Sequence, residues 1–251
     1  MNISLKPLKW YKTLTSGKGR REAGAFLVEG ERAIRQVISS HPEAVIEIVT
    51  IDEPPAALRN YPVRLLTESR FHAICLTRTP QGVMAVVRLP RDTYSHQLPE
   101  NPGAKVLLLE DIQDPGNVGT LIRTATAFDF SGVILTEKCA DPFSPKCVQS
   151  TAGTVLSVWL RRTARYLELV EVLRKSDYRL VATALNGTAD PSALRQNQLL
   201  LALGNEASGL SEAVLTAADY LLTIPTVPEK AESLNVAACG AICMYLSCQE
   251  C

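Results

Sequence analysis

The chain reads as an α/β protein of two domains, a small N-terminal α/β domain and a larger C-terminal domain built on a parallel sheet. Three observations predict this. Short, near-continuous apolar runs recur after residue 104, the pattern of strands buried on both faces. Helical spacing separates several of them, which favours a doubly wound sheet. A stretch rich in proline and turn residues carries Pro99 and Pro102 among Asp92, Ser95, Asn101 and Gly103. The expected division is therefore a domain at 1–90, a linker at 91–103 and a second domain at 104–251.

In the first domain, Phe26-Leu27-Val28 predicts a strand, and 45–49 and 82–87 predict two more. Ala33, Ile34, Val37 and Ile38 recur at helical spacing within 31–39. In the second domain, strands are expected at 106–109, 133–135, 180–182, 199–202 and 221–224. Ligands of such sheets bind beyond the carboxyl ends of the strands. The chemistry is therefore expected in the loops that follow them.

Composition narrows the class. No apolar run reaches the roughly 20 residues that a membrane span needs, and the N-terminus lacks the apolar stretch of a secretory signal. A cytoplasmic protein is the expectation. The seven cysteines are odd in number and scattered, which argues against a disulfide framework. Cys239, Cys243, Cys248 and Cys251 invite a metal reading. On one continuing helix, at about 100° per residue, Cys239 and Cys243 share a face while Cys248 points away. Four such ligands do not converge, so no metal is expected. His41, His72 and His96 are isolated in sequence.

The net charge is zero, yet its distribution is uneven. Lys6, Lys9, Lys12, Lys18, Arg20 and Arg21 all precede the first acidic residue, Glu22, with Trp10 and Tyr11 among them. A basic arm with aromatic residues suits phosphate contact and base stacking. A solvated terminal charge run explains the same pattern.

Three constellations carry the chemistry. The first runs from Glu110-Asp111 through Pro115-Gly116-Asn117-Val118-Gly119 into a helix bearing Arg123. Pro115-Gly116 makes a turn, and Asn117 is placed as an N-cap. Val118, Leu121, Ala125 and Phe128 form one apolar face. Gly119, Thr120, Arg123 and Ala127 form the other, a face of small residues around one arginine. Such a face suits a second chain with Arg123 at the seam, although an arginine paired with a carboxylate accounts for it as well.

The second constellation, Leu203-Gly204-Asn205-Glu206-Ala207-Ser208-Gly209-Leu210, directly follows a strand. Its glycines let the backbone turn tightly and a ligand approach the main chain, with Asn205 and Glu206 over the strand ends. It lacks the G-x-G-x-x-G of a dinucleotide site. The third is Ile224-Pro225, then a loop to Ser233-Leu234-Asn235, where Ser233 or Asn235 is placed to cap a helix. From Ser233 to Ser247 no residue is charged. A terminal helix of that kind reads as buried on every side, best explained by a subunit interface.

In this order the three constellations resemble the SpoU (TrmH) family of SPOUT methyltransferases. The family's N-x-G-x-x-x-R is matched by Asn117, Gly119 and Arg123. Its L-G-x-E-x-x-G-L is matched by Leu203, Gly204, Glu206, Gly209 and Leu210, and its I-P followed by S-L-N by Ile224, Pro225, Ser233, Leu234 and Asn235. The N-terminal part is similar to the family's substrate-binding domain through Arg20 and Phe26-Leu27-Val28-Glu29-Gly30. One departure lies between Pro225 and Ser233. Members usually carry a glycine there, whereas this chain has seven residues, with Pro228 and no glycine.

The resemblance implies a deep trefoil knot in the C-terminal domain, a homodimer, and S-adenosyl-L-methionine as the methyl donor. It implies methylation of a ribose 2′-hydroxyl in ribosomal or transfer RNA. Catalytic roles fall to Arg123, Asn117, Glu206 and Asn235. Thr183, Leu185, Leu203, Gly204, Asn205, Gly209, Ile224, Pro225, Ser233, Leu234 and Asn235 would hold the cofactor, and Lys18, Arg20 and Arg21 would hold RNA. Arginine is effectively always protonated, so Arg123 is expected to bind phosphate and steady a developing alkoxide. The alternatives are a catalytically silent RNA-binding protein on the same scaffold and an RNA base methyltransferase.

Overall fold

The structure, a computed structural model, describes residues 6–75, 77, 79–227, 230 and 233–248. It separates into two compact units, Met1–Arg91 with Asp141–Leu156, and Asp92–Ala140 with Ser157–Cys251.

The first unit contains α1 (Leu8–Thr13), α2 (Gly17–Ala23), β1 (Ala25–Glu29), α3 (Glu31–Ser40), β2 (Val45–Thr50), β3 (Val63–Leu65), α4 (Glu68–His72) and β4 (Val83–Arg88). Its sheet runs β1-β4-β2-β3, antiparallel except for the β2–β3 pair. The expected strands and the α3 helix are all present, and α3 buries Ile34 and Val37 as its spacing requires. β3 escapes the sequence pattern because it is a three-residue edge strand whose Val63 and Leu65 are exposed.

The basic arm folds into α1 and α2, and two of its residues turn inward. Tyr11 is wholly buried, so it is no platform for base stacking. Its hydroxyl donates to Glu47 Oε2 at 2.6 Å and accepts from Arg64 Nη1 at 2.8 Å. Burial and the Glu47 carboxylate push its pKa up to about 12, so it remains a donor. Arg20 requires the same correction. Its side chain is buried, donating to the carbonyls of Leu14 and Thr15 at 3.0 Å each and pairing with Asp141 at 2.5 Å. An arginine spent on those three acceptors is not available to an RNA phosphate. Lys18 and Arg21 stay exposed, and Lys18 lies 3.8 Å from Glu22.

Asp141 belongs to a segment that the expected boundary assigns to the second domain. Residues 141–156 instead group with the first unit. The segment carries α6 (Pro145–Thr151), and its Phe143 ring lies 4.8 Å from that of Phe26.

The second unit contains β5 (Lys105–Leu109), α5 (Pro115–Ala127), β6 (Gly132–Leu135), β7 (Trp159–Arg162), α7 (Tyr166–Lys175), β8 (Arg179–Thr188), β9 (Leu199–Leu203), α8 (Glu212–Ala217), β10 (Tyr220–Leu222) and α9 (Val236–Leu246). The sheet order is β10-β8-β9-β5-β6-β7, with every pair parallel. The two central strands, β5 and β9, are buried at every residue but Lys105, the pattern of strands covered on both faces. The stretch read as a linker packs on this unit from Asp92 onward. Arg161 Nε donates to Gln97 O at 2.6 Å and Trp159 Nε1 to Pro102 O at 3.0 Å, while His96 Nδ1 meets Thr163 Oγ1 at 2.6 Å.

Its own chain covers only one side of α9. It buries Val236, Ala237, Gly240, Cys243 and Met244, but Ala238, Ile242 and Tyr245 are exposed on this chain. Cys248 receives a bond from Lys105 Nζ at 3.2 Å. Cys251 and Pro228 lie outside the described residues. Among the described residues no helix is long and apolar enough to cross a membrane.

Candidate active site

The loops beyond the carboxyl ends of β5, β6 and β9 are tied together before any functional side chain is placed. Asp111, the second residue after β5, adopts a left-handed φ of 57°. Its N–H donates to Thr136 Oγ1 at 2.9 Å, and that hydroxyl donates back to Asp111 Oδ1 at 2.7 Å. Lys138 Nζ lies 3.1 Å from the other carboxylate oxygen. Asn205 Nδ2 donates to Asp111 O at 2.8 Å, joining the loop after β9 to the same residue. The buried Glu110 carboxylate receives the Ser211 N–H and hydroxyl at 2.7 Å each, and the Tyr166 hydroxyl. A buried carboxylate with three donors is a fastener for the loop ends.

Asp114, not Asn117, caps α5, with Oδ1 accepting from Asn117 N at 3.0 Å. Pro115 occupies the first helical position, where its missing N–H costs nothing, and this moves the cap one residue earlier than the proline. Asn117 therefore sits inside the first turn with its amide free to face outward. The glycine loop is equally constrained. A Cβ on Gly204 would lie 2.3 Å from the Gly209 carbonyl carbon, so only glycine lets the chain double back there. Asn205 and Gly209 exchange backbone bonds of 3.1 and 2.9 Å. Asn205 Oδ1 accepts from Ala207 N at 2.9 Å and Ser208 N at 3.1 Å. With both ends of its side chain engaged, Asn205 lies over the ends of β5 and β9 as expected and ties the loop there. Glu206 is the residue presented at the turn, exposed.

Of the two capping candidates for α9, Asn235 is the one used. Its Oδ1 accepts from Ala237 N at 2.9 Å and Ala238 N at 3.3 Å. Its Nδ2 donates to Asn117 Oδ1 at 3.2 Å, and Asn117 Nδ2 donates to Glu206 Oε1 at 2.7 Å. One residue from each constellation thus joins a single polar chain. Each amide has only one orientation consistent with these partners. Arg123, about 9 Å further along α5 at 1.5 Å per residue, is exposed and has no hydrogen-bond or ion-pair partner among the described residues.

The remaining candidates lie in the C-terminal parts of β8 and β9 or in the loops after β9 and β10, with β8, β9 and β10 adjacent in the sheet. Leu185 is 81% exposed, and Val227 and Leu234 are exposed as well. Ile224 is half-buried, and Pro225, Ser233 and Gly209 are exposed. Leu203 is fully buried, which leaves only its main chain for a ligand. Thr183 donates its hydroxyl to Ala202 O at 3.2 Å. Exposed apolar side chains beside turning main chain suit a nucleoside, whose base stacks on apolar groups and whose edges bond to backbone. Sequence reasoning missed Asp111, Asp114 and Thr136 as builders of the site. Only Asp114 carried a signal, as the acidic residue preceding Pro115.

The SpoU rRNA Methylase family matches residues 104–245, and the MRM3-like substrate binding domain matches residues 6–85. The chain is 34% identical over 242 residues to the 23S rRNA (guanosine(2553)-2′-O)-methyltransferase RlmP of Bacillus subtilis, covering 95% of this chain and 94% of that protein. It is 30% identical over 254 residues to the 23S rRNA (uridine(2479)-2′-O)-methyltransferase of Streptomyces viridochromogenes, covering 94% and 87%. Among solved structures, the SpoU methyltransferase AviRb of Streptomyces viridochromogenes in complex with AdoMet superposes with a TM-score of 0.82 at 26% identity, covering 97% of each chain. An AdoMet-bound rRNA methyltransferase of Sinorhizobium meliloti gives 0.78 at 27% identity, covering 96% and 93%. With its three motifs joined through Asn117 and more than half its length matched by one family, the chain belongs to the SpoU rRNA methylases of the SPOUT superfamily.

Proposed function

We propose that this protein transfers the methyl group of S-adenosylmethionine to a ribose 2′-hydroxyl of ribosomal RNA. The observation that carries the reading is the Asn235–Asn117–Glu206 chain, whose middle member Asn117 lies on the same helix as a free Arg123. The residues beyond β8, β9 and β10 fit the donor. Leu185, Val227 and Leu234 offer apolar surface to an adenine, and Gly204 to Gly209 offers turning main chain. When bound, the donor supplies a methyl on a positively charged sulfur, which an oxygen nucleophile displaces.

The chain's own residues then do two things. Asn117, its amide orientation set by Glu206 and Asn235, positions the ribose, and positioning alone supplies much of such an acceleration. Arg123, permanently cationic, binds an RNA phosphate and steadies the charge that grows on the 2′-oxygen. The hydroxyl proton passes to the phosphate oxygen or water that Arg123 holds.

The same reading includes a homodimer. Leu234, Ala238, Ile242 and Tyr245 recur at helical spacing as an exposed apolar stripe. α9 packs on α5, where Thr120, Arg123 and Ala127 are exposed. A second copy seated there would place its own chain beside Arg123. The reading also includes the trefoil knot. β10 lies at a sheet edge, yet Gly240 of α9 rests on Leu121 and Leu203 at the middle of the sheet. A cytoplasmic location follows from the substrate.

The test is nucleoside mass analysis of ribosomal RNA lacking its own 2′-O-methyl groups, incubated with the purified protein and S-adenosylmethionine. A 2′-O-methylated nucleoside is expected. A methylated base, or binding without transfer, refutes the reading.

A further inference from the structure

β8 and β10 are parallel neighbours whose register breaks abruptly. Leu221 pairs with Ala182, while the next residue, Leu222, pairs with Thr188. Residues 183–187 therefore have no register partner on β10 and stand out from the carboxyl edge of the sheet. A protrusion of this length is ordered only if its neck is tied, because every free residue carries conformational entropy.

The tie is the hydroxyl of Thr223. Its Oγ1 donates to Ala184 O at 2.6 Å and accepts from Gly187 N at 2.7 Å, so one atom closes both sides of the neck. The Thr223 N–H donates to Thr188 O at 2.9 Å just below. A Cβ on Gly187 would lie 2.4 Å from Leu221 O, so the returning limb runs flush against β10. The protrusion carries Leu185, 81% exposed, and begins at Thr183. Valine has the shape of threonine without the hydroxyl, and its methyl offers nothing to either backbone group.

We propose that Thr223 is a positioning residue for the methyl donor, acting through the 183–187 protrusion whose neck its hydroxyl closes. The inference rests on the reading that S-adenosylmethionine is held beyond β8, β9 and β10. Loss of the tie lowers the fraction of protein whose protrusion is competent, and apparent affinity falls by that fraction. The strands themselves keep their pairing, so the damage falls on donor binding and not on folding or RNA.

Calorimetric titration of the full chain with S-adenosylmethionine, beside melting temperatures and steady-state kinetics, tests this. Thr223→Val is expected to raise the Kd for the donor about tenfold, with KM for ribosomal RNA and kcat at saturating donor unchanged. Thr223→Ser is expected to restore the Kd to within about twofold, since the serine hydroxyl offers both backbone groups the same donor and acceptor. Gly187→Ala attacks the same neck from its other side and is expected to weaken donor binding likewise. Wild-type affinity in Thr223→Val overturns the proposal, as does Thr223→Ser binding as weakly as valine. If Thr223→Val fails to fold, wild-type affinity in Gly187→Ala overturns it. A wild-type protein that binds no S-adenosylmethionine refutes the parent reading, and does so before any variant is made.

Discussion

Asn117 is the one residue bonded to both other motifs, and replacing it with aspartate changes a single atom's chemistry. In the native chain Asn117 Nδ2 donates to Glu206 Oε1 at 2.7 Å. Asn117→Asp puts an oxygen where that donor stands, against a carboxylate. A hydrogen bond to a charged group contributes about 1.5 kcal/mol. Two carboxylates about 4 Å apart in a water-like dielectric repel by about 1 kcal/mol, and Glu206 is exposed enough for that dielectric to apply. A disturbance of about 2.5 kcal/mol, felt only when the ribose is positioned, predicts a kcat about 70-fold lower. Like charges raise each other's pKa, so the new carboxyl regains a proton as pH falls and can again donate to Glu206. The variant's rate should therefore recover toward pH 5, where the wild type shows no such rise. Initial rates of methyl transfer from labelled S-adenosylmethionine across that range, with melting curves as a folding control, measure it. A variant that keeps nearly native kcat at pH 8, or whose rate does not rise on acidification, refutes the role given to this amide.

Four further outcomes are expected. Arg123→Ala abolishes transfer while calorimetry still finds S-adenosylmethionine bound, because Arg123 lies on α5 and the donor loops follow β8, β9 and β10. Ile242→Asp sets a charge in the exposed stripe of α9, and burying it unpaired in an interface costs several kcal/mol. Sedimentation should then show a folded monomer where the wild type is a dimer. Neutralising Lys18 and Arg21 together flattens the salt dependence of RNA binding, the slope falling by about 0.7 to 0.9 for each phosphate no longer neutralised. Arg20→Ala instead lowers the melting temperature, since it strands the Asp141 carboxylate.

How much of the molecule is legible in its sequence depends on whether the cause is local. β1, β2, β5, β6 and β9 are apolar runs and are readable as such. β7 is not, because Trp159-Leu160-Arg161-Arg162 carries two consecutive arginines, one of which is buried holding the Gln97 carbonyl. The motif residues are readable, and so is their order. Their mutual bonds are not, since the amide of Asn117 meets a carboxylate 89 positions away and an amide 118 positions away. Proline at the first turn shifts the apparent cap by three residues, and the uncharged run from 233 to 247 does not reveal which side of α9 its own chain covers.

Arg20 shows why charge along a sequence is a poor guide to an RNA surface. Six cations before residue 22 look alike in sequence, yet their fates are set by acceptors elsewhere. Arg20 finds two carbonyls in the preceding turn and the Asp141 carboxylate 121 positions downstream. Once desolvated, that guanidinium must keep its partners, because an unpaired buried charge costs more than binding a phosphate returns. Its resemblance to a family residue and its place in a basic arm therefore point to the packing of α2 against Asp141 and not to RNA. The proposed contact of the arm with a phosphate backbone therefore falls to its exposed cations, Lys18 and Arg21 among them. The same logic assigns Arg123 the opposite role. It is exposed on a helix next to a polar chain and no acceptor on the described chain engages it, which is what the proposed contact with an RNA phosphate requires.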